Sequence, residues 1–331
     1  MRAKSPEFHI EREPKINTLA RPLIIESAFP GWLPPSVNPN IPLQPKAIVR
    51  ELIDSVKAGA SAIHIHPRDP NDGALLMDPE KLKELVDPVW DTCGEVFTWN
   101  HSWVGKPMEP IDYLHHTERL LALGQGNKYI MGSVVLITGN PGDREMTLFG
   151  DEQAVREGVP WLEEHGVKPI FQVYDSHGIE WLAREIIEPG LAKWKPFMCC
   201  LHMGKHHSSY IGSDPWGHLQ LITSMNALKA AIPDAIVGLR AGGRNWLPIT
   251  TAAIAMGIDM VGVGQEDCLW MYPHKDEIMK KNSEVIAKIA TIARELGREI
   301  VAPDQVKALL GFDHWAPARA ATQSLRGAVS A

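Results

Sequence analysis

The chain has 331 residues, 44% of them hydrophobic and 22% charged, which suits a sizeable core and argues against wholesale disorder. Its formal charge of −7, from 33 basic and 40 acidic residues without a Lys/Arg-rich run, argues against nucleic acid or an anionic membrane as the main partner. Cys93, Cys199, Cys200 and Cys268 fit neither a disulfide framework nor a Cys-x-x-Cys zinc site, so a reduced cytoplasmic setting is expected.

The first stretch, Met1 to Ile16, is charged and contains prolines, with no apolar core of a signal peptide. No run approaches the roughly 18 apolar residues of a membrane span. From there, short apolar runs alternate with longer amphipathic ones. Strands are predicted at residues 23–28, 62–66, 96–100, 128–132, 169–174, 197–202, 235–240 and 260–264. Helices are predicted between and after them, at residues 45–58, 78–90, 110–123, 152–165, 178–188, 215–231, 248–256 and 277–296. Asp78-Pro79 reads as an N-cap followed by proline at the first helical position, and Gly297 as a helix stop. A further short helix is predicted over residues 303–311.

Eight strand–helix units without a compositional break predict one (β/α)8 TIM barrel over residues 21–312. Residues 1–20 form an N-terminal arm and 313–331 a C-terminal tail in this reading. A doubly wound open sheet is the competitor, but no Gly-x-Gly-x-x-Gly follows the first strand.

Barrel enzymes carry their chemistry at the C-terminal ends of the strands. Here those ends carry Glu26, His64 and His66, Asn100, His202, Arg240, and then Glu266-Asp267. Residues two apart on a strand face the same side, so His64 and His66 can aim two imidazoles at one point. Two readings fit that pair: metal ligands, or core histidines bonded to backbone. Barrel closure brings strand eight beside strands one and two, which makes Glu266 the candidate third ligand, with a solvated loop carboxylate as the alternative. Two histidines and one carboxylate leave a position open for water or substrate.

Asp267 then orients a ligand or pairs an arginine. Arg240 and Arg244 are candidates for clamping an anionic substrate group, with a surface loop role as the alternative for Arg244. His202, His206 and His207 form a rival metal cluster, but their loose, Gly-containing spacing specifies no ligand set, and the stretch reads as a long loop over the site that contacts substrate. Nothing matches a nucleophile elbow or a phosphate loop.

The stretch His64-Ile-His66-Pro-Arg68-Asp69, preceded by Lys57-Ala-Gly-Ala, resembles the zinc-dependent β-keto acid cleavage enzymes. So do Val263-Gly-Gln-Glu266-Asp267, Asn282-Ser-Glu, Ala293-Arg-Glu-Leu-Gly-Arg298 and Ala302-Pro-Asp-Gln-Val-Lys-Ala-Leu-Leu-Gly311, and the early Asn40-Ile-Pro-Leu-Gln-Pro45 fits as well. The resemblance covers residues 22–312. It implies a (β/α)8 barrel, usually tetrameric, with a divalent metal, typically zinc, held by His64, His66 and Glu266. It implies a Claisen-type exchange between a small β-keto acid and acetyl-CoA, with Asp267 beside the catalytic arginine.

That arginine's position, four residues before the glutamate, is Gly262 in this chain. The family's Ser-Thr-Gly-Gly after strand three reads Asn100-His-Ser-Trp103, and Gln172 stands where an acid is common. Glu26, Asn100, Arg240 and Asp267 are therefore the candidate catalytic residues, with Arg244 and His202 for substrate. Two alternatives stand beside the family reaction on a keto or hydroxy acid: an aldolase that needs no CoA, and a metal-dependent hydrolase. A barrel that binds a ligand without turnover is the non-enzymatic reading.

Overall fold

Eight short apolar runs fold into parallel strands, each too brief to be stable alone and each completed by its neighbours. In the computed structural model, residues 12–31, 33–76, 78–99, 110–136, 152–204 and 216–314 are described. The strands are β1 (Ile24–Ala28), β2 (Ala62–His64), β3 (Phe97–Trp99), β4 (Tyr129–Leu136), β5 (Lys168–Val173), β6 (Met198–Met203), β7 (Ile236–Ala241) and β8 (Met260–Val263). They form a closed barrel in sequence order, and β8 pairs in parallel with β1. This is the (β/α)8 architecture that the alternation predicts.

The helices that follow the strands are α1 (Pro45–Ala58), α2 (Pro79–Cys93), α3 (Pro110–Ala122), α4 (Glu152–Glu164), α5 (Ser176–Leu182), α6 (Trp216–Ala231), α7 (Trp246–Ala255) and α8 (Asn282–Glu295). Local chemistry explains their ends. The Asp78 side chain accepts from the Glu80 N–H at 2.9 Å, capping α2 ahead of Pro79. On α1, Ile48, Leu52 and Ser55 share the face turned to the sheet.

Several boundaries differ from the sequence expectation. β2 closes at His64 and leaves His66 just beyond it, while β4 runs on to Leu136. The last barrel helix starts at Asn282 rather than near residue 277. Trp270 bridges Ile278 there, and Met279 N–H donates to the Leu269 carbonyl, so the preceding backbone folds back on itself instead of coiling.

The barrel interior is apolar at its N-terminal end, where Ile24, Ala62, Phe97, Met131, Ile170, Met198, Cys200 and Met260 meet. Val301, Val306 and Leu310 close that end from below, two of them on or beside the short helix α9 (Val306–Leu309). With that end plugged, the buried ionisable groups His64, His66, Glu266, Glu26 and Arg240 stand toward the C-terminal mouth. Larger clusters fill the space between strands and helices.

Candidate active site

At the C-terminal mouth the apolar lining gives way to buried polar groups. His64, His66 and Glu266 are each at most 3% exposed. His64 Nε2 lies 3.0 Å from His66 Nε2 and 3.0 Å from Glu266 Oε2, and His66 Nε2 lies 3.7 Å from Glu266 Oε1. Burial pushes the His64 imidazole down to about 3 against the opposing pull of Glu266, with Arg240 adding to the depression. At neutral pH His64 is therefore a neutral imidazole, which can give a metal one ring-nitrogen lone pair.

The donor set suits one cation. Ligands at about 2.0–2.2 Å in a tetrahedral shell stand roughly 3.3 Å apart, close to the three separations here. His64 Nε2 and His66 Nε2 face each other at 3.0 Å in a dry pocket, and a cation between them would take a lone pair from each. The three ligand atoms all fall within 4.8 Å of one another. His64, His66 and Glu266 could thus hold a divalent metal.

Glu266 owes its place to the loop after β8. Its N–H donates to the Ala28 carbonyl at 3.3 Å, at the end of β1. Asn282, at the start of α8, accepts from Gln265 N–H at 3.0 Å and donates to Ser27 Oγ at 2.7 Å. Gln265 Nε2 in turn donates to the Met279 carbonyl. These bonds tie the strand-eight loop to strand one, and so carry the carboxylate to the two histidines.

Beside the cluster, Arg240 on β7 and Glu26 on β1 form a buried bidentate pair. Nε donates to Oε2 at 2.8 Å and Nη2 to Oε1 at 2.5 Å, and both side chains are at most 1% exposed. The two residues are both in register with Gly262 on β8. A Cβ at Gly262 would stand 2.4 Å from Glu26 Oε2 and 2.7 Å from Arg240 Cγ. The arginine occupies the space that a side chain at position 262 would need. Burial alone would lower the Arg240 pKa, but Glu26 more than reverses this and holds it above the ordinary arginine value.

The remaining sequence candidates are placed as follows. His202 is in register with Arg240 and stacks on Tyr174, ring centroids 4.6 Å apart. Asp267 is half-buried next to Glu266, its carbonyl accepting from Gly243 N–H at 3.1 Å. Arg244 turns outward: its guanidinium bonds Asp276 and the Lys275 carbonyl and lies over the Trp270 ring. Asn100, His206 and His207 lie outside the described residues. The structure therefore brings His64, His66, Glu266, Glu26 and Arg240 together, and leaves Arg244 apart from them.

Sequence reasoning gave Asn282, Ser27, Tyr174 and Arg68 no role. Asn282 and Arg68 do fall within the family-like stretches, which was the available signal. Ser27 and Tyr174 carried none, because a lone serine or tyrosine at a strand end is ordinary.

A closed (β/α)8 barrel with a buried His-His-Glu cluster at its C-terminal mouth defines a barrel enzyme with a candidate metal centre. The chain belongs to the beta-keto acid cleavage enzyme family, whose sequence profile matches residues 22–312. It is 29% identical over 281 residues to a 3-keto-5-aminohexanoate cleavage enzyme of Acetoanaerobium sticklandii, covering 83% of this chain and 92% of that protein. A second enzyme of that name, from Fusobacterium nucleatum, is 26% identical over 279 residues, covering 83% and 92%. A 3-dehydrocarnitine:acetyl-CoA trimethylamine transferase of Rhizobium meliloti is 25% identical over 287 residues, covering 82% and 90%. Among solved structures, ObcA in its binary complex with oxaloacetate superimposes with a TM-score of 0.66 at 16% identity, covering 82% of this chain and 67% of that one. The apo form of ObcA gives 0.65 at 17% identity, and there this chain spans 66% of the longer protein. Those two likenesses bear on the fold alone.

Proposed function

We propose that this enzyme cleaves the carbon–carbon bond of a small β-keto acid and uses acetyl-CoA as acceptor, with a divalent metal, zinc, held by His64, His66 and Glu266. The observation that carries the reading is the converging His-His-Glu cluster beside a buried arginine at the mouth of a barrel of this family. Relatives named as acetyl-CoA transferases support the acceptor.

The bound ion would supply Lewis-acid polarisation of the keto oxygen. The protein's own groups do the rest. Arg240 sets a fixed positive charge facing the substrate carboxylate, and a guanidinium already ordered by Glu26 needs no reorganisation when negative charge develops. Glu26 is a poor proton acceptor because both its oxygens accept from Arg240. Asp267, next in sequence to Glu266, takes the proton from C2 of the keto acid. His202, held flat against Tyr174, contacts the substrate opposite, and Asn100 is assigned to the same pocket from its place after β3.

In the net exchange the C2–C3 bond of the keto acid breaks. Its carboxymethyl carbon bonds to the acetyl carbonyl carbon, giving acetoacetate, and the remaining acyl group leaves as its CoA thioester. No helix among the described residues is long and apolar enough to cross a membrane, and no cysteine is in a disulfide. In this reading the enzyme works in the cytoplasm as a homotetramer, the assembly that the family resemblance implies.

The test is product analysis by mass spectrometry on a panel of β-keto acids with and without acetyl-CoA. Acetoacetate and a new acyl-CoA, both abolished by chelation, are the expected products. An aldehyde formed without CoA would establish the aldolase alternative instead, and simple ester or ring opening the hydrolase.

A further inference from the structure

The motif His64-Ile-His66-Pro67-Arg68 contains two candidate ligands and an arginine that the proposed chemistry does not use. Arg68 is 4% exposed. It sits on a tight reversal in which Asp69 N–H donates to the Ala74 carbonyl and Leu76 N–H to the Pro67 carbonyl. Its Nη1 donates to the Gly73 carbonyl at 2.9 Å, across that reversal. Its Nη2 reaches the loop after β1, bonding the carbonyls of Gly31 and Leu33, the latter at 2.8 Å.

Gly31 is where that loop meets the third ligand. It has φ of +63°, and a Cβ there would fall 2.1 Å from both Cα and Cβ of Glu266. Backbone therefore lies directly against the root of the Glu266 side chain, in contact that no larger residue permits. Arg68 grips the carbonyl of the same residue. A buried guanidinium with several donors on backbone carbonyls fixes a loop far more firmly than one neutral bond would.

We propose that Arg68 is a positioning residue for the metal centre: through the Gly31 carbonyl it clamps the loop after β1 onto Glu266 and so fixes the third ligand. The histidine motif thereby governs all three ligands, two by covalent sequence and the third by an arginine that reaches the neighbouring loop after β1. The loop after β1 is a wall of the ligand cluster and not only a cover over the pocket. The proposal rests on the metal reading of His64, His66 and Glu266.

The experiment compares the wild type with Arg68→Met, Arg68→Lys, Gly31→Ala and Glu266→Ala. Zinc affinity is measured by competition with a chromophoric chelator, the visible bands of the cobalt(II)-loaded proteins report ligand number, and melting temperature is taken with and without metal. Arg68→Met and Gly31→Ala should bind zinc about 10–100-fold more weakly, the usual effect of losing an outer partner. Their cobalt bands should move toward those of Glu266→Ala, and Arg68→Lys should fall between. The rise in melting temperature on adding zinc should shrink; a merely structural role would lower both melting temperatures together and leave the rise intact. Wild-type zinc affinity and cobalt bands in a folded Arg68→Met overturn the clamp. If Arg68→Met does not fold, the same result in Arg68→Lys and Gly31→Ala overturns it. A wild type that takes up no metal refutes the metal reading itself, which is a separate result.

Discussion

Arg240 reaches Glu26 by crossing β8 at Gly262, the position the family resemblance assigns to an arginine. The guanidinium arrives from β7 rather than β8, and Gly262 leaves the gap it passes through. Because the added Cβ of Gly262→Ala would stand 2.4 Å from a carboxylate oxygen, that variant should push the pair apart. Overpacking of this kind costs about 1–3 kcal/mol. Urea denaturation should show that loss, and kcat/KM should fall at least about tenfold if the pair serves catalysis. An alanine variant with unchanged stability and rate would remove Gly262 from the design.

The pair itself separates stability from function. Arg240→Met leaves the Glu26 carboxylate buried and unpartnered by a cation, which should destabilise the protein by about 3–5 kcal/mol. Combining it with Glu26→Leu removes both charges and should recover most of that stability. Activity should stay low in both variants. If the double variant is as active as the wild type, neither residue takes part in the reaction.

Removing one imidazole should empty the metal centre. For His64→Ala, elemental analysis should find the metal content greatly reduced and turnover lowered at least about 100-fold, with the barrel still folded by circular dichroism. Prolonged dialysis of the wild type against a chelator should produce the same loss, reversed by zinc. A fully metalated, active His64→Ala would move the metal elsewhere.

Far from the mouth, Lys168 makes stability depend on alkaline pH. Burial lowers its ammonium to about 7, although Glu163 pulls the other way, and its Nζ donates to the Trp194 carbonyl. An exposed lysine in the unfolded chain titrates near 10.4. From pH 7 upward to that value the unfolded chain holds a proton the folded chain has released, so stability rises with pH across this window. Relative to Lys168→Met, the wild type should gain about 2 kcal/mol between pH 7 and pH 9 in urea melts. A difference that stays constant would show that the amine keeps an ordinary pKa when folded.

The strand and helix order was legible because period-two and period-3.6 patterns are local, and the capping pair Asp78-Pro79 is local too. The two imidazoles were legible because two-residue spacing holds them together even though β2 ends at His64. The start of α8 was not. The apolar and charged residues of 277–281 mimic a helix, and it is the pairing of Trp270 with Ile278, together with the Met279 N–H on the Leu269 carbonyl, that shows the chain reversing there.

By itself the sequence determined eight barrel units, a histidine pair on the second and a carboxylate after the eighth, since each is a matter of spacing along one segment. Tertiary structure alone decided that Arg240 is locked to Glu26 through the gap at Gly262, that Arg244 is taken up by Asp276 at the surface, and that Arg68 holds Gly31 against Glu266. Long arginine side chains can reach several partners, and strand register and loop contacts choose among them. The pairs Arg240–Glu26, Arg244–Asp276, Arg68–Gly31 and Gly31–Glu266 join residues 32 to 235 positions apart, a distance over which no local pattern carries information.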